Sequence, residues 1–238
     1  MSLFAVSDLH LGFAVDKPMD RFGPEWVGHA EKLAARWRER VRDTDTVLVC
    51  GDTSWAMRLD EARPDLEFVG ALPGRKILLK GNHDYWWGSL RKLRQALPPS
   101  IVPLQKDCIA VEGWQVCGSR GWLLPSPETT PEDAGIFARE LGRLRLSLQA
   151  ARGEGPRLAM LHYPPYAVAT GSSPVLDLLL EFGVRLCVYG HLHAVPPGSY
   201  PEGMHRGIEF HCVSLDLVDF APRCLVTGGA VASPRSRE

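Results

Sequence analysis

The stretch Leu3-Phe4-Ala5-Val6-Ser7-Asp8-Leu9-His10 decides how the rest of the chain is read. Four apolar residues in a row are too few for a helix and read as a strand buried on both faces. They run without a linker into Ser7, Asp8 and His10, side chains with polar or ligating chemistry. The same succession recurs four times. Thr46–Cys50 runs into Asp52, Lys76–Leu79 into Asn82, His83 and Asp84, Leu158–Leu161 into His162, and Leu186–Tyr189 into His191 and His193. In open α/β sheets ligands bind beyond the carboxyl ends of the strands. Five strand ends that carry one chemistry therefore predict one site at one edge.

Between these strands, Pro24–Val41 places Trp26, Ala30, Leu33, Ala34, Trp37 and Val41 at helical spacing, with Pro24 near its start. Gly88–Leu97 and Pro131–Ala151 also read as helices. Segments 101–118 and 208–227 are short alternating runs with no room for helices, and read as meander strands. Strand–helix–strand units with added antiparallel pieces predict a layered α/β sandwich. The chain has 238 residues, 45% of them hydrophobic, with no repeat. That is enough to bury a core without disulfides or a structural metal. A single domain over 1–238 is expected, with 232–238 as a loose tail.

The charge balance is even: 27 basic against 28 acidic residues, a net charge of −1. This argues against strong binding of nucleic acid. The longest apolar stretches, such as Val175–Leu180, fall far short of the ~18–20 residues needed to cross a bilayer. No basic segment and apolar core precede the first strand, so a cytoplasmic location is expected. The cysteines at 50, 108, 117, 187, 212 and 224 form no CxxC pair and are expected to be reduced and structural.

Seven strand-end residues can ligate a metal: Asp8, His10, Asp52, Asn82, His162, His191 and His193. Seven exceed the needs of one tetrahedral ion. They suit two divalent ions if one carboxylate bridges. Nitrogen and oxygen donors without thiolate favour Mn, Fe, Zn, Co or Ni over Ca or Mg. Two metals ~3.5–4 Å apart are the usual clamp for in-line displacement at phosphorus. Gly51, Gly81 and Gly190 each precede one of these residues, where a strand must turn sharply and backbone must come close to an ion or phosphate.

Asp8-Leu9-His10, Gly51-Asp52, Gly81-Asn82-His83-Asp84, Leu161-His162 and Gly190-His191-Leu192-His193, in that order, resemble the five motifs of the calcineurin-like metallophosphoesterases. The resemblance implies a four-layer αββα sandwich with a dinuclear site at the C-terminal ends of the strands. It implies one ion on Asp8, His10, Asp52 and His193, and another on Asp52, Asn82, His162 and His191, with Asp52 and a hydroxide bridging. It implies that His83 meets the substrate phosphate or leaving oxygen and that Asp84 fixes the orientation of His83. Manganese is the first expectation for the metal. Departures from the family's branches are visible. Gly51-Asp52 is followed by Thr53-Ser54-Trp55-Ala56-Met57 rather than an Asp-Arg-Gly run, which speaks against a protein phosphatase. His83 stands where the lipid-A-pathway pyrophosphatases typically have Arg. The chain, including Gly118-Ser119-Arg120-Gly121-Trp122, is most similar to small stand-alone bacterial phosphohydrolases.

The expected activity is hydrolysis of a small phosphate ester, with phosphodiesters ahead of phosphomonoesters. Two rivals are a nuclease acting on single-stranded nucleic acid and a non-catalytic metal-binding scaffold. Full occupancy of the ligand positions and of His83 weighs against the scaffold. Arg120 is a candidate phosphate clamp or a plain surface arginine. Tyr85, Trp86 and Trp87 are a stacking shelf or a core cap. Tyr163-Pro164-Pro165-Tyr166 is a stiff loop beside His162. His29 reads as a surface residue, and His205 and His211 as structural.

Overall fold

In the computed structural model, which describes residues 1–227 and 230–231, β1 (Ser2–Val6) pairs in parallel with β2 (Thr46–Val49), and β2 with β3 (Arg75–Leu78). The first three strand ends therefore fall side by side. β4 (Ile101–Pro103) continues this sheet in parallel beyond β3. A second sheet is built around β6 (Trp114–Ser119), β7 (Arg157–Leu161) and β8 (Val184–Tyr189), again parallel to one another. β5 (Cys108–Val111) and β10 (Ile208–Cys212) flank those three, with β9 (Gly203–His205) outside β10. β11 (Arg223–Thr227) returns to the first sheet antiparallel to β1, with β12 (Ala230–Val231) at its edge.

Side-chain alternation along the strands sorts the core into three layers. Leu3, Ala5, Leu48 and Ile77 of the first sheet meet Val116, Leu158, Met160 and Val188 of the second, forming the layer between the sheets. Phe4, Val6, Val47 and Val49 point the other way, onto α1 (His29–Arg40), α2 (Leu59–Ala71) and α3 (Leu90–Ala96). Cys117, Ala159, Leu161 and Cys187 point onto α4 (Pro131–Ala150) and α5 (Pro174–Glu181). The result is the four-layer αββα sandwich. Strands buried on both faces have no polar side to show, which is why they read as unbroken apolar runs. All six cysteines are free. Among the described residues no helix is long and apolar enough to cross a membrane. The expected loose tail, 232–238, lies outside the described residues.

Several expectations need correction. The helix read over Pro24–Val41 begins only at His29, because Pro24–Trp26 is a separate 3₁₀ turn and Gly28 interrupts at φ 62. Neither 101–118 nor 208–227 is a meander. In each, the chain leaves one sheet and joins the other, β4 to β5 and β10 to β11. Sequence alternation reports local strand character and says nothing about which sheet receives the strand. α2 escapes sequence reading because Pro64 sits inside it, and α5 because eight mostly apolar residues look like a buried strand. His29 is not a surface residue: its Nε2 is buried without a hydrogen-bond partner, and its ring meets that of Trp26 edge-on.

Candidate metal centre

The seven ligand-type residues converge from both sheets at the carboxyl edge of the strands. Asp8, His10, Asp52 and Asn82 follow strands of the first sheet, and His162, His191 and His193 follow strands of the second. Asp8, His10, Asp52 and His191 all adopt left-handed backbone, at φ 59, 46, 51 and 73. For side chains other than glycine this costs of order 1 kcal/mol or more, and it persists only where the surroundings hold it. Here backbone bonding continues past the strand ends. Asp8 N–H donates to the Gly51 carbonyl and His10 N–H to the Asp52 carbonyl, both at 2.9 Å.

The three glycines are explained by space. A Cβ on Gly81 would overlap Asp52 Oδ1, and one on Gly190 would overlap Ser7 Oγ and Asp8 Oδ2. Gly51, at φ 100, would bring a Cβ to 2.7 Å from the Gly81 Cα and 2.8 Å from His162 Nδ1. The strand ends approach too closely for any side chain at these points.

Two overlapping clusters result, Asp8–His10–His193 and Asp8–Asp52–His162. His10 Nε2 lies 3.4 Å from His193 Nε2, 3.8 Å from Asp8 Oδ1 and 3.9 Å from Asp52 Oδ2. His193 Nε2 lies 3.6 Å from Asp8 Oδ1, and that oxygen is buried without a hydrogen-bond partner. On the other side, His162 Nε2 is 2.7 Å from Asn82 Oδ1 and 3.4 Å from Asp52 Oδ2, while its Nδ1 is 2.9 Å from the Cys50 carbonyl oxygen. The His191 ring centroid stands 5.2 Å from that of His162 and 4.0 Å from that of Tyr163, and its backbone N–H donates to Asp8 Oδ2 at 2.8 Å.

These geometries fit divalent cations. A neutral imidazole offers one donor and one acceptor. His162 faces oxygen acceptors on both nitrogens, so its Nε2 must carry either a proton or a metal. Burial alone would pull the His162 pKa down, yet the charge and hydrogen bond of Asp52, with Asp8 behind, push it up to about 9. His193 is pushed up to about 10 by Asp216 and Asp8, again against burial. His10 and His191 are drawn down to about 4, chiefly by burial. Asp8 is itself held well below the usual carboxylate range: burial opposes this, but the close approach of His193 and the charges of His162, His193 and His10 outweigh it.

Some residues that matter here were not singled out by sequence. Asp216 Oδ1 lies 2.9 Å from His193 Nδ1, so the neutral ring, once its Nε2 proton is lost, turns the Nε2 lone pair toward the cluster. The Trp55 indole stacks on His10 and tilts against His83, with both ring centroids 4.5 Å away. No motif announces either one, because Asp216 lies beyond β10 and Trp55 beyond Asp52, outside any ligand spacing.

His83 is half-buried. Its backbone N–H donates to Asp52 Oδ1 at 2.8 Å, and burial lowers its pKa. Asp84 does not serve its ring, contrary to what the resemblance implies. Asp84 Oδ1 accepts from Thr53 N, Ser54 N and Trp86 Nε1, and Oδ2 accepts from Asp52 N and Gly81 N, at 2.7–3.2 Å. A fully buried carboxylate surrounded by amides satisfies the loops first. Its own pKa is pushed up to about 6 by burial and by the Asp52 charge, against the pull of those donors. Trp86 and Trp87 are buried in the helix-side core, so only Tyr85 is exposed and no two-indole shelf exists. Arg120 bonds Glu140 at 3.3 Å and stacks over Trp122 at 4.4 Å. His205 Nε2 donates to the Gly171 carbonyl at 2.9 Å, and His211 lies between Glu202 and Glu209 at 2.9 and 3.1 Å.

Comparison with known proteins agrees with this geometry. The family model described as calcineurin-like phosphoesterase matches residues 1–195. The gene 66 protein of Mycobacterium phage D29 is 39% identical over 87 residues, 35% of this chain and 40% of that protein. The chain thus matches less than half the length of that relative. The gene 66 protein of Mycobacterium phage L5 is 22% identical over 200 residues, 84% of this chain and 80% of that one. Among solved structures, a protein of unknown function from Aquifex aeolicus is 18% identical with a TM-score of 0.53, covering 94% of this chain and 95% of the other. A phosphopantetheinyl hydrolase from Mycobacterium tuberculosis is also 18% identical, with a TM-score of 0.54 over 90% of this chain and 88% of the other. At this identity the likeness speaks to the fold.

Proposed function

The chain belongs to the calcineurin-like phosphoesterase family, generally hydrolases of phosphoric esters, and on that premise we propose that it is a metal-dependent phosphoesterase acting on a small phosphodiester or phosphomonoester. The observation that supports this most is His162, buried with oxygen acceptors on both nitrogens and Asn82 and Asp52 beside its Nε2. One ion would rest on Asp8, His10, Asp52 and His193, and a second on Asp52, Asn82, His162 and His191. Manganese suits these nitrogen and oxygen donors first, with Fe, Zn, Co or Ni as substitutes. Two such ions, when bound, supply an acidified water as nucleophile and neutralise the phosphoryl oxygens.

The chain supplies the rest. Asp84 fixes the loop that carries Asp52, and Asp216 fixes the tautomer of His193. Trp55 limits the motion of His10 and His83 together. His83, half-buried with its ring centroid 5.8 Å from that of His10, donates a proton to the leaving oxygen, a role worth ~10²–10⁴-fold. The even charge of the chain supports a small ester over a polymer.

The test compares leaving groups in metal-loaded protein. The native protein is expected to hydrolyse both alkyl and nitrophenyl phosphate esters. His83→Ala is expected to keep its metals, lose about 10²-fold or more on alkyl esters, and lose much less on nitrophenyl esters, whose leaving oxygen needs no proton. Absence of hydrolysis of any phosphate ester by the metal-loaded native protein would overturn the proposal.

A further inference from the structure

Three loops leave the carboxyl ends of β6, β7 and β8 and enclose a cleft of about 410 Å³. It adjoins the metal centre, because His191 belongs to both and Tyr163 of the cleft packs on its ring. The aromatic surface is continuous: the Tyr163 ring centroid is 4.0 Å from that of His191 and 5.2 Å from that of Trp122. The buried Tyr166 lines its floor, and the exposed Leu123 and Val168 also line it. No Lys, Arg, Asp or Glu lines it. Leu123 and Val168 are left 52% and 44% exposed at its rim, among the few large apolar side chains in that condition. The groove on the other side of the centre, beside His10, differs in kind, since it carries Asp16 and Lys17.

We infer that this cleft receives the organic part of the substrate, and that this part is an uncharged, mainly apolar group on a small phosphate ester. The inference rests on the phosphoesterase reading for the phosphate end and on the cleft alone for the other. A volume within the usual range for small-molecule sites, an aromatic wall and an exposed apolar rim suit such a group. A nucleic acid strand would bring a further negative charge with each nucleotide, and the cleft has no cation to meet it. The position on the second sheet places the phosphate against His191 and His162 when the apolar group is seated. His83, across the cluster on the first sheet, is left free to face an ester oxygen.

The experiment separates the cleft from the reaction. Binding of ethylphosphonate and hexylphosphonate to metal-loaded protein is measured by calorimetry, while turnover of a nitrophenyl phosphate ester is followed independently. Each buried methylene strengthens binding by up to about fourfold. Hexylphosphonate is expected to bind at least about 10-fold more tightly than ethylphosphonate, with one site per chain. Leu123→Asp and Val168→Asp, both at exposed positions, are each expected to shrink that ratio to about threefold or less. Equal affinities for the two phosphonates, or a ratio untouched by both substitutions, would overturn the cleft assignment, whereas binding of neither would overturn the phosphate end on which it rests. None of these depends on turnover, whose absence would instead overturn the phosphoesterase reading.

Discussion

Asn82 Oδ1 lies 2.7 Å from His162 Nε2, and the other nitrogen of that ring lies 2.9 Å from the Cys50 carbonyl oxygen. Without a metal, an imidazolium satisfies both of these oxygens, in keeping with a pKa pushed up to about 9 by Asp52. His193, at about 10, is in the same state at neutral pH, whereas His10 and His191, at about 4, are already neutral. Metal ligation requires the neutral ring. Loading the metal-free protein at pH 7 is therefore expected to release about one proton from each of His162 and His193. The sign follows from the raised values: protons favour the metal-free form at every pH below about 10, so affinity rises with pH up to that point, most steeply below about 9 where both rings are charged. Calorimetry in buffers of different ionisation enthalpy counts the protons. Release of none would contradict the doubly accepted His162.

Asp216 is the next residue to remove. It accepts from His193 Nδ1 at 2.9 Å and, through its other oxygen, from Ala194 N at 2.8 Å. Loss of such a partner typically lowers metal affinity ~10–100-fold. Asp216→Ala is expected to weaken one of the two ions by that factor and leave the second nearly unchanged, with Asp216→Asn intermediate because it retains the shape without the charge. Titration with the metal, read as two separate affinities, checks this. An equal loss at both ions would show that Asp216 supports the fold rather than one ligand.

The contrast between Asp216 and the seven ligands shows what the sequence can carry. A ligand at a strand end is written next to an apolar run, so strand and ligand are read together, and parallel neighbours then bring the ends into line. Asp216 is 23 residues from the ring it holds, and its role depends on the chain crossing sheets after β10, which alternation does not encode. Asp84 shows the converse. Its place beside His83 in sequence suggests a partnership, yet its carboxylate turns to the amides of Thr53, Ser54, Asp52 and Gly81. Adjacency in a motif does not decide which donors a buried carboxylate must satisfy. The glycines were legible because their requirement, a close approach of two strand ends, is local to each end.

Gly81→Ala turns that close approach into a measurement. The added methyl would overlap both Asp52 Oδ1 and Asp52 N. Overpacking of this kind costs about 1–3 kcal/mol and here also displaces the Asp52 carboxylate, which is proposed to serve both ions. The variant is expected to unfold at lower temperature and to bind less than the full complement of metal. Gly142→Ala serves as the control. It lies within α4 with nothing near its Cβ, and is expected to gain up to about 1 kcal/mol. Thermal melts with metal analysis on both variants decide it. A Gly81→Ala protein with native stability and metal content would mean the loops separate easily.

Asp84→Asn tests whether that carboxylate serves the loops or the His83 ring. Its two oxygens accept five donors, four of them backbone amides from the loops after β2 and β3. An amide of the same shape replaces one acceptor by an NH₂ group, which would face at least two N–H donors in a fully buried place. Each buried donor left without a partner costs about 1–3 kcal/mol. A loss of about 3 kcal/mol is expected, or roughly 6–12 °C in melting temperature for a domain of this size. Because Asp52 N is among the released donors, the metal cluster shifts with the loop. Activity on alkyl and nitrophenyl esters should then fall together, unlike the selective loss expected for His83→Ala. If Asp84→Asn keeps the native melting temperature and loses activity on alkyl esters alone, the carboxylate acts through the His83 ring in solution, and the loop-holding role argued from its five donors is wrong.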